Sequence, residues 1–165
     1  MASRLRRWFH DFSCSKAGGV FYHVVSRRVD TLLMPLSGAK LSMGPPGRTA
    51  LITTTGARSG KARKTSLAFL WRGDDMVVVA SKGGADHHPA WYHNMKRHPQ
   101  VHVFYRDGEE DRTAREALGA ERDALFAEMA ATYANFAAYQ GHTDRRIPVM
   151  VLEKRGAEEA GSIRA

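Results

Sequence analysis

Two neighbouring runs of strand-forming residues most constrain what this chain can fold into. Residues 49–55 read TALITTT and residues 63–72 read RKTSLAFLWR, with the turn GARSGK at 56–61 between them. β-Branched and aromatic residues favour strands, and a short glycine-containing connection joins antiparallel neighbours. This pattern predicts a β-hairpin whose tip is basic.

Shorter strand patterns continue along the chain and alternate with helical ones. The further predicted strands are 76–81, 101–105, 112–116 and 147–153, the turn between the middle two is 107–109, and the predicted helices are 89–98, 120–133 and 135–140. About six short, mostly antiparallel strands with few long crossovers predict an α+β protein built as a β-barrel with flanking helices.

The ends of the chain differ from this central domain. We assign residues 1–48 to an N-terminal helical segment and linker, residues 49–153 to the barrel, and residues 154–165 to a disordered tail with almost nothing to bury. A helix is predicted over residues 18–34, ended by Pro35, because proline lacks the backbone N–H that a helix requires.

Residues 1–13 form an amphipathic pattern with two interpretations. One helical face would carry Leu5, Trp8, Phe9 and Phe12, and the other side Arg4, Arg6 and Arg7. Such a helix can lie on an anionic bilayer, and it can equally pack on its own domain. The first interpretation predicts a cytoplasmic protein that is peripheral on the inner face of the cell membrane.

Charge and cysteine content limit the partners and the compartment. The 165 residues suit one domain, and the formal net charge of +8 predicts an anionic partner, which could be nucleic acid, a membrane or a small molecule. The single Cys14 excludes an intramolecular disulfide and favours the cytosol. The basic N-terminus lacks the longer apolar segment and cleavage site of a secretory signal.

Two stretches carry groups that can hold an anion. In the hairpin, Arg58, Lys61, Arg63 and Lys64 fall within seven residues, among Ser59, Gly60, Thr65 and Ser66. In the stretch 77–96, an apolar strand ends in Ser81 and Lys82, and Pro89 then opens an aromatic helix. Cations, hydroxyls and free backbone N–H groups bind phosphate or carboxylate oxygens, although the P-loop spacing is absent.

Other chemistries are disfavoured by spacing. Histidines 88, 93 and 98 are five residues apart, which does not stack them on one helical face, so we predict no metal site. Ser81 lacks the GxSxG setting of a nucleophile. The aromatic residues are not interleaved with the basic clusters, so nucleic-acid binding is not expected.

Four motifs in a fixed order make the chain recognisable. They are TTTGxRSGxxR at 53–63, VASKGGA at 79–85, HPAWYHN at 88–94, and YQ with TDRxIPV between 139 and 149. Together they resemble the deazaflavin (F420)-dependent nitroreductase family, small actinobacterial reductases that use reduced coenzyme F420. The resemblance runs from about residue 49 to residue 153 and leaves the N-terminal helices out.

This resemblance implies a split β-barrel of the FMN-binding type, with F420 in a groove and its phosphate and oligoglutamate tail on a basic surface. Reduced F420 would pass a hydride to a quinone such as menaquinone, to an enone or to a nitroaromatic, and flavin mononucleotide is the second choice of cofactor. The implied cofactor-binding residues are Arg58, Ser59, Lys61, Arg63, Lys64, Thr65, Ser66, Val79, Ala80, Ser81, Lys82, Ala90, Trp91, Tyr92, His93 and Asn94.

The resemblance also implies an acceptor pocket, lined by Ala68, Tyr133, Phe136 and Tyr139. Hydroxyl donors stabilise negative charge on an acceptor oxygen, so Ser81, Tyr133 and Tyr139 are the predicted catalytic residues. Nitroimidazole-activating relatives carry tyrosine at the positions of Ala68 and Phe136, which predicts poor nitroimidazole reduction here. The alternative is a split-barrel protein that binds F420, flavin, haem or lipid without turnover. The sequence does not indicate which oligomeric state the protein adopts.

Overall fold

The computed structural model describes residues 16–154, with side chains from residue 25 onward except residue 27. The predicted helix over residues 1–13, with its membrane interpretation, lies outside the described residues. The predicted disordered tail beyond residue 154 also lies outside them.

Six antiparallel strands form a closed barrel in the described part of the chain. The strands are β1 Thr49–Thr55, β2 Ala62–Arg72, β3 Asp75–Val79, β4 Gln100–Tyr105, β5 Gly108–Ala117 and β6 Val149–Lys154. Their order around the barrel is β1-β2-β3-β6-β5-β4, and β4 pairs with β1 to close it. The helices are α1 Lys16–Ser37, α2 Ala90–Arg97, α3 Gly119–Thr132 and α4 Asn135–Gly141. The predicted α+β barrel with flanking helices is confirmed.

The alternation of side chains along each strand fills the barrel and coats its outside. In β6, Met150 and Leu152 belong to the interior cluster, whereas Val149 and Val151 belong to a second cluster on the outer face. Successive residues of a strand point to opposite faces, so a run that is apolar throughout is buried on both sides. This explains why the apolar run in β3 is central to the fold.

Helices cover both the end and the outer face of the barrel. Trp91 and Met95 of α2 join the interior cluster and close one end. Leu125 and Met129 of α3 pack on the outer cluster, together with Phe136 of α4. The barrel thus has two apolar layers, one inside the sheet and one between the sheet and the helices.

Helix α1 does not end where its sequence predicts. The prediction that Pro35 ends it is wrong, because the helix continues to Ser37. Proline in the last turn removes only its own N–H bond, and the Ser37 hydroxyl donates to the Leu33 carbonyl at 2.7 Å. The helix ends at Gly38, whose φ of 59° suits a residue without a Cβ.

The β4–β5 connection is tighter than predicted. Strand β5 begins at Gly108, which pairs with Tyr105, so the turn is residues 106–107 and not 107–109. Glu110 remains in the ladder because its carboxylate accepts a hydrogen bond from the Tyr105 hydroxyl at 3.0 Å. Side-chain partners thus extend a strand that its acidic sequence disfavours.

None of the helices that the structure describes combines the length and the apolar content that crossing a bilayer requires.

Candidate functional site

A cavity of about 1200 Å³ lies where the β1–β2 hairpin meets the start of α2 and one face of α1. Three elements that are distant in sequence therefore form its walls. Its lining is Arg28, Thr31, Leu32, Gly56, Ala57, Arg58, Ser59, Ala62, Arg63, Lys64, Thr65, Ala90, Trp91, His93 and Asn94. A space of this size accommodates a cofactor-sized ligand.

The hairpin tip is held in a tight conformation by its glycines. Gly60 has a φ of 65°, in the left-handed region that glycine occupies at no steric cost. A Cβ on Gly56 would lie 2.6 Å from the Ser59 Oγ and 3.1 Å from the Lys61 carbonyl oxygen, so a side chain there would force the turn to shift. The basic side chains of the tip are therefore carried on a defined turn.

Asn94 fastens α2 to the hairpin. Its Oδ1 accepts a hydrogen bond from the Ala57 N–H at 2.9 Å, and its Nδ2 donates to the Thr54 Oγ1 at 2.9 Å. Both ends of the amide are engaged and the residue is buried. Asn94 therefore fixes the distance between two walls of the cavity.

The cavity is strongly cationic. Arg58, Arg63 and Lys64 line it from the hairpin, and Arg28 adds a guanidinium from α1. Among residues 16–154, no carboxylate forms a salt bridge with any of these four side chains. Cations without protein partners on a concave surface attract an anionic ligand.

Trp91 supplies an apolar wall with a spare donor. It lines the cavity, and its Nε1 is buried without a hydrogen-bond partner among the described residues. An unpaired buried N–H is costly, so it marks a position where a ligand acceptor is expected. Four cations beside an apolar ring fit a flat anionic cofactor.

The Ser81 turn lies outside this cavity. Lys82, Gly83 and Gly84 take successive φ values of 50°, 65° and 79°, an unusual left-handed run for which Lys82 has a Cβ penalty. A Cβ on Gly84 would lie 2.7 Å from the Tyr139 carbonyl oxygen, so the turn packs directly on α4. Ser81 itself is buried.

Arg145 holds this turn in place. Its guanidinium donates to the carbonyls of Ala80 at 3.1 Å, Ser81 at 2.7 Å and Ala85 at 2.7 Å. It also lies 3.1 Å from His88 Nδ1. A single side chain from the TDR motif thus contacts three carbonyls of the turn, and the Ser81 carbonyl also accepts a hydrogen bond from the Gly84 N–H at 3.1 Å.

Burial and the Arg145 guanidinium lower the pKa values of two groups beside the turn. Burial, and then the Arg145 charge, lower the pKa of Lys82. Burial and the same guanidinium also lower the pKa of His88, so His88 is neutral at pH 7 and its Nδ1 can accept from Arg145. The described residues contain no cluster of three or more potential metal ligands.

The aromatic residues of the predicted acceptor pocket pack against one another on the outer face of the barrel. The Tyr133 hydroxyl donates to the Phe69 carbonyl at 2.9 Å, and burial raises its pKa while the nearby Arg48 opposes that rise. Ala68 precedes Phe69 on β2 and is half-buried. Phe136 and Tyr139 are buried in the outer cluster, where their rings pack edge to face, 6.2 Å apart. The Tyr133 ring packs edge to face on Phe136 in turn, 5.9 Å away, so the three aromatic rings are continuous, and Tyr133 lies nearest to the β2 residue that follows Ala68.

The cavity brings together only part of the predicted cofactor set. It contains Arg58, Ser59, Arg63, Lys64, Thr65, Ala90, Trp91, His93 and Asn94, and its lining does not include Lys61, Ser66, Val79, Ala80, Ser81, Lys82 and Tyr92. The Tyr92 hydroxyl instead donates to Glu116, and burial followed by that carboxylate raises its pKa to about 12.

Sequence reasoning missed the α1 wall. Arg28, Thr31 and Leu32 line the cavity from one helical face. Their spacing of three and four residues was visible in the sequence, and the presence of an arginine on that face was the available signal. What the sequence does not show is that this face meets the hairpin.

The fold and the cavity together identify the structural class of the protein. A closed antiparallel barrel with helices on its end and flank is the split β-barrel of FMN-binding proteins. The heme storage protein HutZ from Vibrio cholerae shares it at a TM-score of 0.51 and 12% identity, over 67% of this chain and 84% of that one. At this identity the likeness concerns the fold alone.

The chain belongs to the F420H(2)-dependent quinone reductase family, whose model matches residues 25–154. It is 36% identical to the F420H(2)-dependent quinone reductase Rv1261c of Mycobacterium tuberculosis, over 72% of this chain and 80% of that protein. It resembles the F420-H2 dependent reductase FDR-A with 44% identity and a TM-score of 0.60, over 64% of this chain and 94% of that one.

Membership makes the protein an oxidoreductase whose hydride donor is reduced F420. The match also corrects one boundary. We expected the resemblance to leave out the N-terminal helices, but it begins at Val25 inside α1. This agrees with the contribution of α1 to the cavity wall, which requires the helix as well as the barrel.

Proposed function

We propose that the cationic cavity binds F420 and that the protein transfers a hydride from it to a quinone. The observation that carries this proposal is the cavity itself, where four cations without a carboxylate partner among residues 16–154 lie beside the Trp91 side chain. When bound, reduced F420 supplies the hydride. The chain's own residues bind it, orient it and protect the transfer from water.

Binding rests on charge. Arg58, Arg63 and Lys64 hold the phosphate and oligoglutamate oxygens, and Arg28 reaches the same ligand from α1. Guanidinium groups form paired, charge-assisted hydrogen bonds to such oxygens, which are stronger than neutral ones. The net charge of +8 is thereby explained by a small-molecule ligand, without nucleic acid.

Orientation rests on the wall opposite the hairpin. The Trp91 indole contacts the flat ring system and donates its Nε1–H to a ring oxygen or nitrogen. Asn94 keeps α2 and the hairpin at a fixed separation through its two hydrogen bonds. Fixed walls place the ring at one depth, which brings donor and acceptor carbon atoms into a reactive geometry.

The acceptor becomes a quinol by gaining a hydride at one position and a proton at its oxygen. We assign hydroxyl donors to that oxygen, with Tyr133 and Ser81 first and Tyr139 third. Because the pKa of Tyr133 is raised, its hydroxyl keeps its proton at neutral pH, and it donates to the acceptor by turning away from the Phe69 carbonyl. The proposed acceptor pocket also includes Ala68 and Phe136, whose lack of hydroxyls favours quinones and enones over nitroimidazoles.

The decisive experiment measures binding and turnover separately. F420 is titrated by fluorescence against the protein, with flavin mononucleotide as the competing cofactor. Oxidation of reduced F420 is then followed with a menaquinone analogue, an enone and a nitroimidazole. We expect tight F420 binding, rapid oxidation with the quinone and slow oxidation with the nitroimidazole.

A Ser81→Ala variant tests the assigned donor. Removing one oxyanion-stabilising donor lowers turnover by about a hundredfold, while the F420 affinity stays unchanged. A protein that binds F420 but whose oxidation no quinone, enone or nitroarene accelerates would instead be a non-catalytic carrier.

A further inference from the structure

A proline–glycine turn fixes the backbone of the residue that precedes β1. Residues 45–48 read PPGR, and a proline followed by a glycine suits the two central positions of a tight turn. The Arg48 N–H donates to the Pro45 carbonyl at 3.1 Å, and Gly47 has a φ of 67°. The Thr49 Oγ1 donates to the same carbonyl at 3.0 Å. The backbone at Arg48 is therefore held in one place.

The same position is tied to strand β2 at Phe69. The Arg48 carbonyl accepts a hydrogen bond from the Phe69 N–H at 3.0 Å, and the Phe69 carbonyl accepts one from the Tyr133 hydroxyl at 2.9 Å. The N–H and the C=O of one strand residue point to the same side of the strand. Arg48 and the Tyr133 hydroxyl are therefore brought to one edge of β2, although 85 residues separate them in sequence.

The two side chains act on each other at this edge. Burial raises the pKa of the Tyr133 hydroxyl, and the Arg48 guanidinium beside it opposes that rise. Arg48 is exposed, and no carboxylate of residues 16–154 forms a salt bridge with it. Its charge is therefore available to an anion that forms on the Tyr133 oxygen.

Arg48 adjoins the proposed acceptor pocket and not the cofactor cavity. The next residue, Thr49, pairs with Ala68 in the β1–β2 ladder, and Ala68 and Tyr133 are both residues of the proposed pocket. The lining of the cofactor cavity does not include Arg48. Its guanidinium can thus serve the acceptor step without holding the F420 tail.

We propose that Arg48 is a positioning residue for proton donation by Tyr133, an inference that rests on the proposed quinone reductase function. When the quinone gains a hydride, one of its oxygens becomes negative. The Tyr133 O–H bond then breaks, the proton moves to that oxygen to complete the quinol, and the electron pair stays on Tyr133 as a phenolate. The Arg48 guanidinium donates to the phenolate and stabilises it until water returns the proton.

Steady-state kinetics with a water-soluble quinone test this role. Arg48→Met removes the charge, and we expect kcat to fall by about tenfold with the KM for the quinone unchanged. Arg48→Lys restores a cation and should recover most of the rate. The matched control is Arg106→Met, because Arg106 is exposed and its Nη1 lies 3.8 Å from the position of a Cβ on Gly47. A normal kcat in Arg48→Met, an equal fall in the control, or a rise in KM alone overturns the proposal.

A double-mutant cycle separates action through Tyr133 from a direct contact with the acceptor. Tyr133→Phe removes the proton donor, so adding Arg48→Met to it should change kcat by less than about twofold. A further tenfold loss in that background overturns the proposal, because Arg48 would then act on the acceptor itself. Normal turnover by Tyr133→Phe alone refutes Tyr133 as the donor, and the proposal with it.

Titration of Tyr133 gives a readout that needs neither cofactor nor acceptor. The phenolate is followed by its ultraviolet absorbance, as the difference between each protein and the same protein carrying Tyr133→Phe. A nearby cation favours the charged form, so ionisation should begin at a higher pH in Arg48→Met than in the wild type and in Arg106→Met. Identical titrations overturn the contact. A wild type that reduces no quinone refutes the proposed function, and the titration then decides by itself whether Arg48 acts on Tyr133.

Discussion

The arginines of β5 and the cations of the β1–β2 hairpin belong to one barrel but have different roles. Arg112 pairs with Glu110 at 2.7 Å, and Arg115 pairs with both Glu121 and Glu153. In the hairpin, Arg58 and Arg63 have no carboxylate partner among residues 16–154. Positive charge is neutralised where it supports the fold and left available where it faces the cavity.

Burial separates the two regions as clearly as pairing does. Arg112 is 2% exposed, and its guanidinium also donates to the carbonyls of Asp74 and Leu152. A buried cation whose three guanidinium nitrogens all donate hydrogen bonds is costly to disturb. The hairpin cations are exposed, so they can be changed with little effect on the folded state.

The largest effect is expected from removing the buried cation. Arg112→Ala removes the cation that pairs with Glu110 and the donor of two carbonyls, and it should destabilise the protein by about 3–5 kcal/mol. Thermal unfolding measures this loss. F420 affinity of the folded variant should equal that of the wild type. A normal melting temperature would mean that Arg112 is not the structural cation we describe.

The next largest effect should appear in binding and not in stability. Arg63→Ala removes one charge-assisted contact and should weaken F420 binding by about 1.5–3 kcal/mol, roughly 10- to 100-fold. Arg146→Ala is the matched control, since Arg146 is exposed but paired with Asp123. Equal losses for both variants would show that the hairpin acts only through overall charge.

A smaller effect on F420 binding should follow from removing the indole N–H of Trp91. Trp91→Phe keeps the apolar wall and removes the unpartnered N–H, so F420 binding should weaken by about 0.5–1.5 kcal/mol. Stability should stay unchanged or rise slightly, because no protein hydrogen bond is lost. Unchanged affinity by fluorescence titration would mean that the donor does not meet the cofactor.

The smallest effect is expected in the pH dependence of stability at the Arg145 turn. The cations there lie close to one another, unlike those of β5 and those of the hairpin. The folded protein lowers the pKa of His88 from its ordinary value of 6.5, first by burial and then through Arg145. The unfolded chain therefore binds more protons just below that value, so stability should be complete above about pH 6.5 and fall as the pH drops through it. Melting temperatures from pH 7.5 to pH 5 measure the slope.

The variant His88→Gln should flatten this slope. An identical slope in the His88 variant would assign the dependence to another group.

The hairpin and both strands of its ladder were predictable because their information is local. Alternating side chains and a glycine turn specify Thr49–Thr55 and its partner β2 within about twenty residues. The order of strands was not predictable in detail. The pairing of β3 with β6 joins Val79 to Val149 across seventy residues, and no local pattern specifies it.

The site was predictable in its chemistry and less so in its layout. The basic hairpin and the Trp91 helix do line one cavity, as the motifs implied. The Ser81 turn does not line it, because Arg145 draws the carbonyls of this turn toward another part of the protein. The α1 wall was missed, since the packing of a helix face against a hairpin depends on tertiary contacts that spacing alone does not encode.

Strand β6 has a consequence for synthesis of the chain on the ribosome. It lies between β3 and β5 and pairs with both, yet it is the last strand to be made. Until it emerges, two neighbouring strands present unpaired edges, which are prone to intermolecular pairing. Closure of the barrel must therefore wait until translation has passed Lys154, and a nascent chain stalled before Val149 should depend on chaperones to stay unaggregated.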